Sequence, residues 1–198
     1  MAKRTPKPST KSPAAKIRFR AKLLRPKPVA SSSPERWSFL ILPKQASTRL
    51  PSRGMVSVRG TFNTLPFQAT LHPDGRGGHW LKVDPKLSKR ANVQPGDQIA
   101  LEITPLTPDQ EPEPKIPADF RKALAAAPKS AQQAWKEITP VARRDWIQFM
   151  TSAKRAETRI LRIEKACDML ANGKRRPCCF DRSGMYDKSL RCPVADNE

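Results

Sequence analysis

The chain has 198 residues, with 38 Lys and Arg against 18 Asp and Glu, giving a formal net charge of +20. Its 21 prolines, 37% hydrophobic content and mean hydropathy of −0.64 describe a folded body with polar extensions. No apolar run approaches the roughly 20 residues that cross a bilayer, which excludes a transmembrane helix.

Residues 1–15 are Lys, Arg, Pro, Ser and Thr with almost nothing to bury, and are expected to form a disordered basic tail. Met1 to Pro8 lack the apolar middle of a secretory signal, so a cytoplasmic protein is expected. Lys3, Arg4, Lys7 and Lys11 form a sequence-tolerant set of phosphate contacts, or a solubilising tail.

Residues 16–106 read as a small β-barrel domain. Ile17, Phe19, Ala21 and Leu23 alternate with Arg18, Arg20 and Lys22, the pattern of a strand with one wet face. Trp37 to Leu42 make a second strand that ends at Pro43, and Met55 to Phe62 a third. Phe67, Ala69 and Leu71 alternate in a fourth, reached through a turn at Asn63-Thr64. Pro73 to Gly78 form a glycine-rich turn into a strand over His79 to Val83. Pro85 to Val93 fit a short helix. After Pro95-Gly96-Asp97, Ile99, Leu101 and Ile103 alternate in a last strand. Short strands with turn signals between them imply a barrel.

Residues 107–116 continue a Pro-rich, acidic stretch and read as a linker. From 117 to 175 the period is helical. Phe120, Leu124 and Ala127 share one face, and Pro128 stops the run. Ser130 and Gln133 match a capping box ahead of Trp135 and Ile138. Thr139-Pro140 cap the next helix, which carries Trp146, Phe149 and Met150. Ala156, Ile160, Ile163, Cys167 and Leu170 step by four and three along a core stripe, and Asn172-Gly173 stop it. Residues 176–198 are expected to be a flexible Cys-containing tail. Cys178, Cys179 and Cys192 lack the paired spacing of a zinc site, while Cys167 reads as core.

No catalytic motif, metal set or cofactor fingerprint stands in this sequence, so a non-enzyme without cofactor is expected. His72 and His79 flank the glycine-rich turn with Asp74 between them, but strand parity supplies no third ligand. Arg76 in that turn, and Arg155, Arg159 and Arg162 on a helix face, are candidate contacts for an anion or nucleic acid. The competing reading of Lys154, Glu157, Thr158, Arg159 and Arg162 is structural: Lys154 pairs with Glu157, or Glu157 clamps an Arg of a neighbouring helix. The positive charge favours an anionic partner, nucleic acid among them, and a protein partner is the other expectation.

Taken together, Trp37, Gly60-Thr61-Phe62, Phe67, Gly75, His79 and Gly96-Asp97, followed by Pro117, Asp119, Trp135, Ile147, Ala153-Lys154, Glu157-Thr158-Arg159 and Arg162-Ile163, form an ordered signature. It resembles the YdeI/OmpD-associated, or bacteriocin-protection, family preceded by a small β-barrel domain of unknown function. The resemblance covers about residues 16–175. It implies an α+β chain: a double-split β-barrel similar to that of AbrB-like and MazE-like transcription factors, then a three- to four-helix module. It also implies a bacterial role in protection against bacteriocin or envelope stress, with a nucleic-acid-binding regulatory protein as the alternative. It supplies no catalytic residues. One departure is that Asn63-Thr64 lacks the Asn-Gly pair expected of such a hairpin.

Overall fold

The structure, a computed structural model, describes residues 15–28, 37–178, 183 and 191–196. The expected basic tail up to residue 14, with Lys3, Arg4, Lys7 and Lys11, lies outside the described residues, as does Cys179. Six strands form: β1 (Ile17–Lys22), β2 (Ser38–Ile41), β3 (Val56–Phe62), β4 (Leu65–Pro73), β5 (His79–Val83) and β6 (Gln98–Pro105), with apolar and polar side chains alternating in β1, β4 and β6. They form one antiparallel sheet in the order β1-β6-β3-β4-β5-β2. The two edges nearly meet. Leu24, just past β1, exchanges backbone hydrogen bonds with Phe39 of β2 at 2.7 and 2.9 Å. Curling the sheet this way buries Ile17, Leu23, Leu40, Val58, Phe62, Leu71, Leu81, Ile99 and Ile103 in one barrel core, and leaves little open strand edge.

Three positions show why the ring closes where it does. Gly60 has no side chain because β6 passes over it: a Cβ there would lie 1.8 Å from the carbonyl oxygen of Glu102. Asn63 solves the hairpin without glycine. It alone in the turn takes a positive φ, 52°, so the turn is not type I′. Its N–H and side-chain oxygen then bond the carbonyl and N–H of Ala100 at 2.8 and 3.0 Å, extending the β3–β6 ladder. At the other end, Gly96 turns with φ 107°, and Gly96 and Asp97 exchange bonds with Leu23 at 2.8 and 2.9 Å.

Two short helices decorate the barrel, α1 (Lys44–Ser47) and α2 (Pro85–Ala91). Asp84 caps α2 by accepting the Lys86 N–H at 2.7 Å. α1 was not anticipated; four residues are too few for a periodic signal.

The helical module holds α3 (Ala118–Ala126), α4 (Lys129–Glu137), α5 (Pro140–Thr151) and α6 (Ala156–Ala171). Phe120, Trp135, Ile138, Trp146, Met150, Ile163, Cys167 and Leu170 make its core. Thr139 caps α5, accepting the Ala142 N–H at 3.3 Å. Two local expectations fail. Pro128, not Ser130, stands at the α4 N-cap, and Gln133 donates to Glu137 at 2.8 Å, so no capping box forms. Ile160 is 57% exposed although it continues the stripe, because α6 begins only after a break at Ser152–Arg155 and its first turns present Arg159 and Arg162 to the neighbouring helices. The expected tail is partly tied down: Lys27 and Arg25 exchange backbone bonds with Val194 and Asp196 at 2.8 and 2.9 Å.

Substituting Gly60→Ala forces β6 away from β3 and should cost about 3 kcal/mol, the upper range for overpacking. Urea denaturation measures this, and an unchanged midpoint would show that the ladder relaxes freely.

Candidate functional site

The barrel and the helical module meet along a seam that the 107–116 connection crosses, and one arginine organises it. Arg144 projects from the second turn of α5. Its Nη1 donates to Ser57 Oγ on β3 at 2.8 Å and to the Glu111 carboxylate, while Nη2 donates to the Met55 carbonyl at 3.0 Å. Ser57 donates to Glu111 at 2.8 Å. Its single proton is thereby spent, so Thr70 is the donor in the 3.1 Å contact between their hydroxyls. Burial is deep: the side chains of Arg144 and Glu111 are 14% and 6% exposed. Next to it, Arg143 holds Glu113 at 2.7 Å and the carbonyls of Trp135 and Lys136 at 3.0 and 2.9 Å. Two adjacent arginines thus grip two acids of the connection.

A pocket of ≈ 450 Å³ opens beside this cluster, within the size range of about 300–1,000 Å³ of small-molecule sites. Ile17, Met55, Val56, Pro105, Leu106 and Val141 give it apolar walls, and Arg49, Arg144 and Glu111 its charges. His72 lies within the field of Arg144 and stacks on Trp80 with ring centroids 4.9 Å apart. Burial first, then Arg144 and Lys82, push its pKa down to about 4.

The candidates taken from the sequence go to different places. Arg159 forks onto Asp119 of α3 at 2.6 and 3.1 Å, which lowers the Asp119 pKa and raises that of Arg159. Arg162 donates to the Phe149 carbonyl at 2.8 Å and to Ser152 Oγ at 2.7 Å, and its guanidinium lies 5.2 Å from the Phe149 ring centre. Both arginines lock helices together. Asp119, not Glu157, supplies the clamp. Lys154 falls in the α5–α6 break, so helical spacing to Glu157 does not apply, and no ion pair joins them among the described residues. Thr158 is half-buried in the first turn of α6, and Arg155 is exposed at its N-cap. Arg76 is exposed on the β4–β5 loop, where Gly75 takes φ 78°. Trp37 sits against Phe39 and Trp80 at 6.1 and 6.3 Å, with the Lys82 ammonium 4.2 Å from its ring centre. His79 is buried and uses Nε2 on the Gly54 carbonyl at 3.1 Å, so it does not converge with His72. Among the described residues no His, Cys, Asp and Glu group has the makings of a metal site. Burial and Asp74 hold the Cys192 thiol protonated, its pKa pushed up to about 12.

Sequence reasoning missed the seam. Two adjacent arginines in α5 and two acids two apart in a proline-rich connection were its only signal.

Residues 113–173 match the family model described as bacteriocin-protection, YdeI or OmpD-associated, and residues 19–103 match that of a domain of unknown function, DUF1905. The helical module is thus similar to the YdeI/OmpD-associated family, and the barrel to the DUF1905 family. No curated protein matches the chain. Arg144, Arg159 and Arg162 all lie within the YdeI/OmpD-associated match, while Ser57, Thr70 and His72 lie within the other. The seam is therefore where the two family modules touch. No described helix is long and apolar enough to cross a membrane.

Two outcomes are expected. Arg144→Leu should cost about 3–5 kcal/mol by stranding the Glu111 carboxylate, whereas Arg144→Leu with Glu111→Leu should cost much less. A double-mutant cycle in urea gives the coupling, and additive losses would show that the pair does not act as a unit. Secondly, both histidines have lowered pKa values in the fold, so the unfolded chain takes up more protons below its ordinary value of 6.5. Their neutral forms fit fully above pH 6.5, and stability falls as pH drops from 6.5 toward about 4. His72→Gln should flatten that slope in melts recorded across this range.

Proposed function

We propose that this is a non-enzymatic bacterial binding protein of the cytoplasm that protects against bacteriocin or other envelope stress by making contacts at the seam pocket, not by turnover. The observation that supports it is the match of the helical module to a family described by bacteriocin protection, in a chain whose seam carries a pocket of ≈ 450 Å³. Arg144, Glu111 and Ser57 bond to one another there. That arrangement fixes the pocket's shape and leaves Ile17, Met55, Val56 and Val141 as the surface a partner would meet.

The test is a deletion strain challenged with bacteriocins and cationic peptides. Survival should fall, the intact gene should restore it, and a folded chain carrying Val141→Glu, which puts a charge into the apolar wall, should not. Unchanged survival of the deletion strain would remove the protection reading. Full rescue by the Val141→Glu chain would remove the seam from it.

A further inference from the structure

A second cavity, of ≈ 670 Å³, lies on the barrel where α1 meets the β4–β5 loop, and its wall is cationic. Lys44 enters from α1, Arg53 from the turn that follows it, and Arg76 from the glycine-rich loop. All three are exposed, and among the described residues none forms an ion pair. Asp74, the acid in the wall, accepts the backbone N–H groups of Arg76 and Gly78 with its Oδ1 at 2.7 and 2.8 Å, and among the described residues it forms no ion pair with the three cations, which outnumber it.

The three cations are held on segments that a buried histidine joins. The N–H of His79 donates to Ser47 Oγ in α1 at 3.1 Å, and its carbonyl accepts the Leu42 N–H at 2.9 Å. Its Nε2 meets the Gly54 carbonyl at 3.1 Å; a carbonyl only accepts, so that nitrogen carries the proton. Gly54 in turn donates to Ser52 Oγ at 3.0 Å, closing the turn that bears Arg53. The Arg76 loop closes on the same strand, with the Asp74 N–H donating to the Gly78 carbonyl at 3.0 Å. The backbone under all three charges is therefore set before anything binds, which lowers the ordering cost of a ligand.

Cations gathered this way repel one another, in a chain already at +20. An anion that bridges them removes the repulsion, and guanidinium forks match phosphoryl oxygens. Leu50 and Pro51 line the cavity beside the cations, and the volume exceeds what one inorganic phosphate fills. We propose that this cavity binds a small organic phosphate with two or more phosphoryl groups, the phosphates on Lys44, Arg53 and Arg76 and the organic part against Leu50 and Pro51. The proposal is independent of the seam pocket.

Calorimetric titration of the full chain at about 150 mM salt, where long-range charge attraction is screened, tests it with adenosine diphosphate, pyrophosphate, adenosine and a short DNA duplex. Adenosine diphosphate should bind at one site and more tightly than pyrophosphate, and adenosine should give no heat. Arg53→Gln and Arg76→Gln should each weaken binding about tenfold, as expected for loss of a charged hydrogen bond. Arg76→Lys should retain part of it. Lys129→Gln, which removes the same charge from an exposed site in the helical module, should change it less than about twofold. No binding of either phosphate, equal weakening by Lys129→Gln, or pyrophosphate binding as tight as adenosine diphosphate would each overturn the proposal. Duplex binding that the Arg53 and Arg76 substitutions abolish, without adenosine diphosphate binding, would replace it with a nucleic-acid contact.

Discussion

A guanidinium withdrawn from water needs partners for its charge, and Arg144 draws them from two stretches of chain beyond its own helix. Met55 and Ser57 come from the barrel, Glu111 from the connection, and the arginine itself from α5. Because the cost of leaving one charge of such a pair unmatched runs to several kcal/mol, the three stretches are coupled more tightly than their apolar contacts would require. The pocket beside the cluster inherits its shape from that coupling. The wall residues Met55, Val56 and Ser57 stand on or beside β3, and Val141 stands on the same helix as Arg144.

The positive charge of this chain is less of a surface coat than its total suggests. Arg143, Arg144, Arg159 and Arg176 each reach an acid on a different segment: Glu113, Glu111, Asp119 and Asp145. Asp145 is almost fully buried, so Arg176 pins the start of the C-terminal segment onto α5. Arginine suits this work because its fork satisfies two acceptors at once, as on Asp119. By contrast, Lys44, Arg53 and Arg76 stand in a shared concavity without an ion pair among the described residues. That contrast between engaged and unengaged cations separates an internal frame from a surface open to an anion.

The strands were legible because burial on one face imposes a period of two, and Ile17 to Leu23 and Ile99 to Ile103 keep it strictly. The same logic misread Ile160, since a stripe says which face is apolar and not where a neighbouring helix ends. Gly60 was legible as a notable residue but not for its reason: the approach of the Glu102 carbonyl is a contact across 42 positions. The seam was illegible for the same cause on a larger scale. Arg144 and Ser57 are 87 positions apart, and nothing local marks either as the partner of the other. Arg159 and Arg162 carried the right signal, an unusual polar cluster on a core helix, and both structural and binding readings were open from sequence. The Asp119 fork and the Phe149 and Ser152 contacts show that each makes interhelical bonds.

Two separate family matches suggest two separable pieces, but the physics of the seam runs across them. The helical match begins at residue 113, so it includes Arg144 and leaves out Glu111, Ser57 and Met55. The barrel match ends at residue 103, short of Glu111 as well. The carboxylate that neutralises Arg144 thus belongs to neither module, and sits in a proline-rich connection whose restricted backbone holds it in place. An isolated helical module would carry a cation shaped for burial with its counter-charge removed, and an isolated barrel would leave Ser57 and the Met55 carbonyl facing water. The connection is therefore a structural member of the site, and its acids are as much a part of the seam as the residues that the two family matches contain.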